Sequence, residues 1–176
     1  CLGDDRTYSF LPSRQENSLS DVIAKHVLKW TFKKYKSYSW LDRGSDERQY
    51  CSPGIDLPVA SIMRSKYGEY PEYHTSDDNL KKVVSAKGLQ GGYDIIKKAL
   101  LAIEMNCYPI SKVKCEPMLS KLNLYPTYKK NDQLVNSDID DFRLINFLSY
   151  CDGKKSLLEI AEKCNCPIWT LYPYLK

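Results

Sequence analysis

The residues of this sequence best suited to chemistry are one histidine and several carboxylates on two polar segments. His74 stands between Tyr73 and Thr75, Asp78 follows four residues later, and Asp46 lies on the earlier segment. Neutral imidazole is the commonest protein ligand of zinc, and carboxylates complete many hydrolytic sites. The residue types suit a metal site. They also suit a loop histidine that only packs or makes a hydrogen bond.

Strands and helices must place these two segments. Residues 57–63 are a short apolar run that predicts a buried strand, and the alternation over residues 35–40 predicts another. Residues 18–34, which Ser18 or Ser20 would cap, and residues 92–105 carry apolar side chains at helical spacing. This order indicates an α/β fold, with part of a mostly parallel sheet flanked by helices. His74 would then follow a strand, where open α/β sheets bind ligands.

Four shorter segments have weaker patterns. We predict short helices and extended pieces for them, as follows: a strand end and loop over residues 1–11, short helices over 47–51 and 80–84, and a strand or extended excursion over 108–115.

The sequence changes character near its end. Residues 129–136 are polar and predict a linker between a first domain, residues 1–128, and a second, residues 137–176. In the second domain Ser156 is placed to cap a helix, and Pro167 to open the next one. Three short helices with tight turns are typical of a small helix-turn-helix or winged-helix-like domain, here truncated before its wing.

Composition limits the classes of function. The 176 residues carry 26 basic and 22 acidic side chains, a net charge of +4, which is too small an excess for a dedicated nucleic-acid binder. No apolar run approaches the roughly 20 residues that span a bilayer. Seven irregularly spaced cysteines favour reduced thiols in a cytoplasmic protein over a disulfide framework. The start at Cys1 leads us to expect the C-terminal portion of a longer protein.

Two motifs resemble a known family. Residues 46–54 read Asp-Glu-Arg-Gln-Tyr-Cys-Ser-Pro-Gly, and residues 68–79 read Gly-Glu-Tyr-Pro-Glu-Tyr-His-Thr-Ser-Asp-Asp-Asn. Their order is similar to the C-terminal motifs of the zinc aminopeptidase family that includes the glutaminyl cyclases. The closer resemblance is to a bacterial aminopeptidase-like subfamily that has a C-terminal winged-helix-like domain.

The resemblance implies a role for several residues. His74 matches the zinc-binding histidine, Asp46 matches an aspartate that supports the site by hydrogen bonding, and Asp78 would fix the loop or cap the next helix. Two departures from the family pattern concern other carboxylates. Glu47 stands where the wider family has a histidine, so that substrate contacts there would differ, and Asp4 or Asp5 lies near the position of a ligand aspartate. The remaining ligands and the glutamate that acts as general base are expected upstream of Cys1. His26, in mid-helix, is expected to have a core or surface role.

The function implied by the resemblance is zinc-dependent hydrolysis of an N-terminal peptide bond or a related amide. The expected cofactor is zinc, the expected substrate is a peptide or small amide, and this chain alone should be inactive. We expect no membrane partner and disfavour nucleic acid, and a homo-oligomer stays open. One alternative is a non-enzymatic module that binds nucleic acid or protein through the winged-helix-like end. Another is acyl transfer of the glutaminyl-cyclase type.

Overall fold

A computed structural model of the protein describes residues 1–32, 34–122, 124, 127–128, 134–135 and 140–175. The chain divides into two compact units, Cys1–Ile103 and Glu104–Lys176. Most of the predicted linker, residues 129–136, lies outside the described residues, so the predicted domain boundaries stay a prediction.

The first unit contains a three-stranded mixed sheet. Its middle strand is β1 (Ser9–Leu11), which pairs in parallel with β2 (Lys36–Ser37) and antiparallel with β3 (Ser61–Met63). All three residues of β1 are buried. The predicted α/β class is confirmed, but the mostly parallel sheet is only partly so. A helical crossover leads from β1 to β2 and makes that pair parallel. The connection from β2 to β3 instead brings the chain back so that β3 runs antiparallel to β1.

Helices α1 (Leu19–Thr31), α2 (Glu47–Tyr50) and α3 (Ala86–Glu104) complete this unit, with a 3-10 turn at Trp40–Asp42. Helix α1 begins after Ser18, one of the two predicted caps. It ends before the predicted residue 34, because Phe32 turns extended with φ −137° and ψ 128°.

Helix α3 begins six residues before the predicted start. The Ser85 hydroxyl accepts a hydrogen bond from the Gly88 amide at 2.9 Å, which stabilises this first turn. Glycines in the first two turns concealed the helix in the sequence, since glycine disfavours helices. Here Gly88 is needed, because a Cβ there would lie 2.0 Å from the Gly3 carbonyl oxygen. The helix predicted over residues 80–84 is wrong; that segment forms turns.

The second unit is largely helical. It contains α4 (Asp140–Leu148), α5 (Leu157–Lys163), the two-stranded antiparallel pair β4 (Thr127–Tyr128) and β5 (Leu134–Val135), and 3-10 turns at Leu119–Leu122, Ile168–Thr170 and Tyr172–Leu175. The predicted capping box is present: the Ser156 hydroxyl accepts from the Glu159 amide and the Glu159 carboxylate accepts from the Ser156 amide.

One prediction for the second unit needs correction, and the structure decides between the alternatives of another. Pro167 opens only a short 3-10 turn rather than an α-helix. The predicted extended segment over residues 108–115 contributes a single antiparallel bridge, between Ile110 and Asp152. Across the described part of the chain, no helix is both long and apolar enough to cross a membrane. All seven cysteines are free thiols.

Buried Asp21 fixes the beginning of α1. Its carboxylate accepts hydrogen bonds from the amide and hydroxyl of Ser13 at 2.7 and 2.6 Å, and from the amide and hydroxyl of Ser18 at 2.9 and 2.6 Å. Burial by itself would raise the pKa of Asp21, but these hydrogen bonds together hold the pKa below its ordinary value.

We therefore expect Asp21→Asn to lower the free energy of unfolding by about 2 kcal/mol at pH 7, because an amide group would face buried donors. Since the folded-state pKa lies below the ordinary 3.8, this stability is present above that pH and is lost as the pH falls through the folded value. Urea unfolding at a series of pH values measures both effects. In acid, the free energies of unfolding of the wild type and the variant should become similar.

A matched control is Asp42→Asn. Asp42 forms the same capping box with Ser39, but on the exposed surface. Its replacement should cost clearly less, about 0.5 kcal/mol. An Asp21→Asn variant as stable as the wild type at pH 7 would contradict this account of the buried cap.

Candidate functional site

The segment that follows β3 carries His74, and its beginning is fixed by a buried aspartate. The Asp4 carboxylate is 4% exposed and accepts hydrogen bonds from the amide of Ser65 at 2.8 Å and from its hydroxyl at 2.9 Å. The Arg6 amide donates to the same carboxylate at 2.9 Å. Asp4 thus joins the N-terminal segment to the start of the His74 segment.

A second connection lies just before the histidine. The Arg6 guanidinium donates two hydrogen bonds to the Glu72 carboxylate, at 2.8 and 2.9 Å. Both groups are partly exposed, so the pair contributes little to the free energy of folding. Its two-point geometry nevertheless fixes the position of Glu72, two residues from His74.

Glu47 is the buried carboxylate of the earlier polar segment. It is 3% exposed and accepts hydrogen bonds from the amides of Gly44 at 2.8 Å and Ser45 at 3.0 Å, and from the Tyr67 hydroxyl at 2.5 Å. Burial raises the pKa of Glu47, but the hydrogen bonds outweigh burial and leave the pKa below its ordinary value. Burial and the Glu47 carboxylate both raise the pKa of Tyr67.

Aromatic contacts connect this carboxylate with the histidine. The rings of Tyr67 and Tyr73 lie 6.5 Å apart between centroids, and Tyr73 stacks on the His74 imidazole at 3.9 Å with an angle of 17°. Tyr70 meets Tyr73 edge-on at 5.7 Å, and its hydroxyl donates to the Asp78 carboxylate at 2.9 Å. The segment is thereby held at its two ends and in its middle.

His74 itself has an unusual backbone. Its φ is 60°, in the left-handed region that non-glycine residues seldom occupy. The side chain is exposed, and its imidazole makes no hydrogen bond to any residue that the structure describes. Its ring contact there is the stack with Tyr73. The ring nitrogens are therefore available to a ligand.

The other predicted site residues lie in different surroundings. Asp46 is exposed and precedes α2 without a side-chain capping bond. Asp78 binds Tyr70, whereas the amides of Lys81 and Lys82 donate to the side chain of Asn79. Asp5 is exposed. His26 is buried in α1, in agreement with a core role.

Sequence reasoning missed the residues that order the segment. Glu47 was expected only to alter substrate contacts, yet it is the buried anchor. Tyr67, Tyr70 and Tyr73 recur at intervals of three residues. That spacing, in a polar loop, was an available signal of side chains that pack together.

With this geometry established, comparison with known proteins places the chain in a family. Residues 1–106 match the family model described as "Domain of unknown function (DUF4910)". The chain belongs to this DUF4910 family. Residues 107–176 match a second model, described as winged helix-turn-helix, which supports the predicted winged-helix-like C-terminal domain.

Two relatives of this DUF4910 chain come from Clostridium acetobutylicum. One, named "Putative polysaccharide biosynthesis protein with aminopeptidase-like domain", is 37% identical over 164 residues, which are 93% of this chain and 37% of the relative. The other is a crystal structure of a "putative peptidase", with 33% identity and a TM-score of 0.79 over 98% of this chain and 39% of that one. The chain thus spans somewhat more than a third of the length of these relatives.

The Glu47–Tyr67 contact yields a testable expectation. Among the described residues, Tyr67 is the only one whose side chain donates to the buried Glu47 carboxylate, so Tyr67→Phe should lower the free energy of unfolding by about 1–2 kcal/mol. Urea unfolding at pH 7 measures it. Tyr50→Phe is the control, because Tyr50 is 51% exposed, and it should change stability by under about 0.5 kcal/mol. Equal effects of the two substitutions would rule out the proposed anchoring role.

Proposed function

We propose that this chain forms the C-terminal part of a zinc-dependent aminopeptidase-like hydrolase, in which His74 is one metal ligand. The reaction would be metal-assisted hydrolysis of an N-terminal peptide bond or a related amide. The His74 ring carries the proposal: it is exposed and without a hydrogen bond to any described residue, on a loop fixed by buried carboxylates.

Two further observations support this function. A strained backbone conformation persists only where the surroundings enforce it, and such residues cluster at active sites and ligand sites. His74, with its φ of 60°, is such a residue. The names of the two relatives, which refer to a peptidase and an aminopeptidase-like domain, favour the same chemistry.

The described residues do not form a complete metal site. Among them, no three His, Cys, Asp or Glu side chains converge where they could hold a metal ion. Catalytic zinc usually has three protein ligands. This part of the chain therefore offers one ligand, and we assign no catalytic step to it. The other ligands and the glutamate base would lie upstream of Cys1, and the greater length of the relatives is in keeping with this.

Metal analysis of the full-length protein tests the proposal. His74→Ala should reduce zinc affinity by more than the 10–100-fold that loss of an outer-sphere partner typically causes, and aminopeptidase activity should fall with it. Zinc per protein chain is measured by mass spectrometry after dialysis against a graded zinc buffer. Wild-type zinc content in this variant would remove His74 from the site.

His26→Gln is the control for this experiment. His26 is the only other histidine in the sequence and is buried in α1. The variant should keep its zinc, and circular dichroism of both variants would verify folding. If both variants fold but both lose zinc, the metal binds unspecifically to histidines, and the specific role proposed for His74 is wrong.

The alternative is a non-enzymatic module that binds nucleic acid or protein through the winged helix-turn-helix region. Residues 167–175 contain no Arg, Lys, Asn or Gln, the side chains that most often contact bases and phosphates. No contact in the described part of this unit favours the alternative over hydrolysis, and we do not advance it.

A further inference from the structure

A cleft in the first unit has a wall rich in cations. Its volume is about 640 Å³, and it lies between the N-terminal segment, the end of α1 and the first turns of α3. The charged side chains that line it are Arg6, Lys34, Arg64, Lys87, Asp5 and Asp94. No residue between 67 and 79 lines it, so it is distinct from the His74 loop.

Arg64 is a buried cation in this wall. It is 4% exposed, and its guanidinium carbon lies 3.8 Å from the centroid of the Tyr8 ring. Phe32 stacks on the same ring at 3.6 Å, and two groups this close must lie on opposite faces. The Arg64 Nε donates to the Asp4 carbonyl oxygen at 2.6 Å. No carboxylate among the described residues forms an ion pair with it, although a buried charge is costly unless it is paired.

The packing of α3 maintains this arrangement. A Cβ at Gly91 would lie 2.4 Å from the Tyr8 hydroxyl oxygen and 3.2 Å from Nη1 of Arg64. A side chain at position 91 would thus displace both groups. Burial raises the pKa of Tyr8, against the lowering effect of Arg64, so the hydroxyl stays neutral beside the cation.

The remaining charges leave a positive excess. Arg6 is bound by Glu72, and Asp94 accepts a hydrogen bond from Gln90 at 2.8 Å. Lys34 and Lys87 are exposed and form no ion pair with any described residue. Three cations without a bound carboxylate therefore share the cleft with two acidic side chains.

We propose that this cleft binds an anionic group, a phosphate or a carboxylate, with Arg64 as its buried cation and Lys34 and Lys87 as its exposed ones. Guanidinium and ammonium groups form strong charge-assisted hydrogen bonds with both anions. Such a ligand would be the negatively charged partner that the Arg64 guanidinium does not have among the described residues. The site does not depend on the proposed hydrolase function.

Titration calorimetry of the full chain with inorganic phosphate, and separately with malonate, at constant ionic strength tests the proposal. The wild type should bind one anion per chain in a saturable manner. The double variant Lys34→Gln/Lys87→Gln should bind at least about tenfold more weakly, since each lost charge-assisted hydrogen bond is worth about a factor of ten. Preference for phosphate or for malonate would identify the kind of anion.

The control is Lys81→Gln/Lys112→Gln, which makes the same change in net charge on exposed lysines outside the cleft. It should keep wild-type affinity. All four lysines are exposed, so the variants should fold, and their urea midpoints would verify this. The absence of saturable binding to the wild type, or equal affinities of the two double variants, would overturn the proposal.

Discussion

The buried carboxylate of Asp4 is the contact on which the candidate site depends. It accepts hydrogen bonds from Ser65, at the beginning of the His74 segment, and from the backbone of Arg6. A carboxylate removed from water needs such donors, so neither segment can move away without a large cost in free energy. Arg6 is thereby placed to bind Glu72. One buried charge positions a long polar loop that has little regular structure of its own.

The three tyrosines of that loop act in a related way. Tyr67 donates to the Glu47 carboxylate, Tyr70 donates to the Asp78 carboxylate, and Tyr73 lies between them and the imidazole. Burial and Asp78 raise the pKa of Tyr70 to about 12. The hydroxyl therefore remains a donor throughout the physiological pH range. The loop is ordered by tyrosine hydroxyls that donate to carboxylates, and the imidazole makes no such bond to any residue that the structure describes.

Local signals in the sequence predicted local structure well. The caps at Ser18 and Ser156 could be identified, because capping depends on residues within one turn. The short helix after Asp46 was also predicted, although Asp46 makes no side-chain capping bond. The direction of β3 could not, since it depends on the path of a long connection. The beginning of α3 was missed because its glycines match no helical pattern. Their reason lies in the fold: Gly88 faces the backbone of Gly3, Gly91 the Tyr8 hydroxyl and Gly92 the backbone of Leu2.

In the candidate site too, the sequence predicted local features but not contacts between distant segments. The resemblance singled out His74 as a metal ligand, which stays a prediction, and the structure shows that the loop around it is well anchored. The resemblance did not identify Glu47 or Asp4 as the buried anchors, because burial arises from segments far apart in sequence. Among the described residues, no group of three His, Cys, Asp or Glu side chains forms a metal site around His74.

The close approach of α3 to the N-terminal segment has a wider consequence. Gly88 lets the helix touch the backbone of Gly3 and Asp4, and through Asp4 this contact reaches Ser65 and the loop that follows. A methyl group added at position 88 would overlap the carbonyl groups of Gly3 and Asp4, so the helix or this segment would have to shift, and with it the Asp4 carboxylate that binds Ser65. Homologous chains that hold their histidine loop in the same way should therefore keep glycine at the position of Gly88. Residues on the solvent-facing side of the same helix are free to vary.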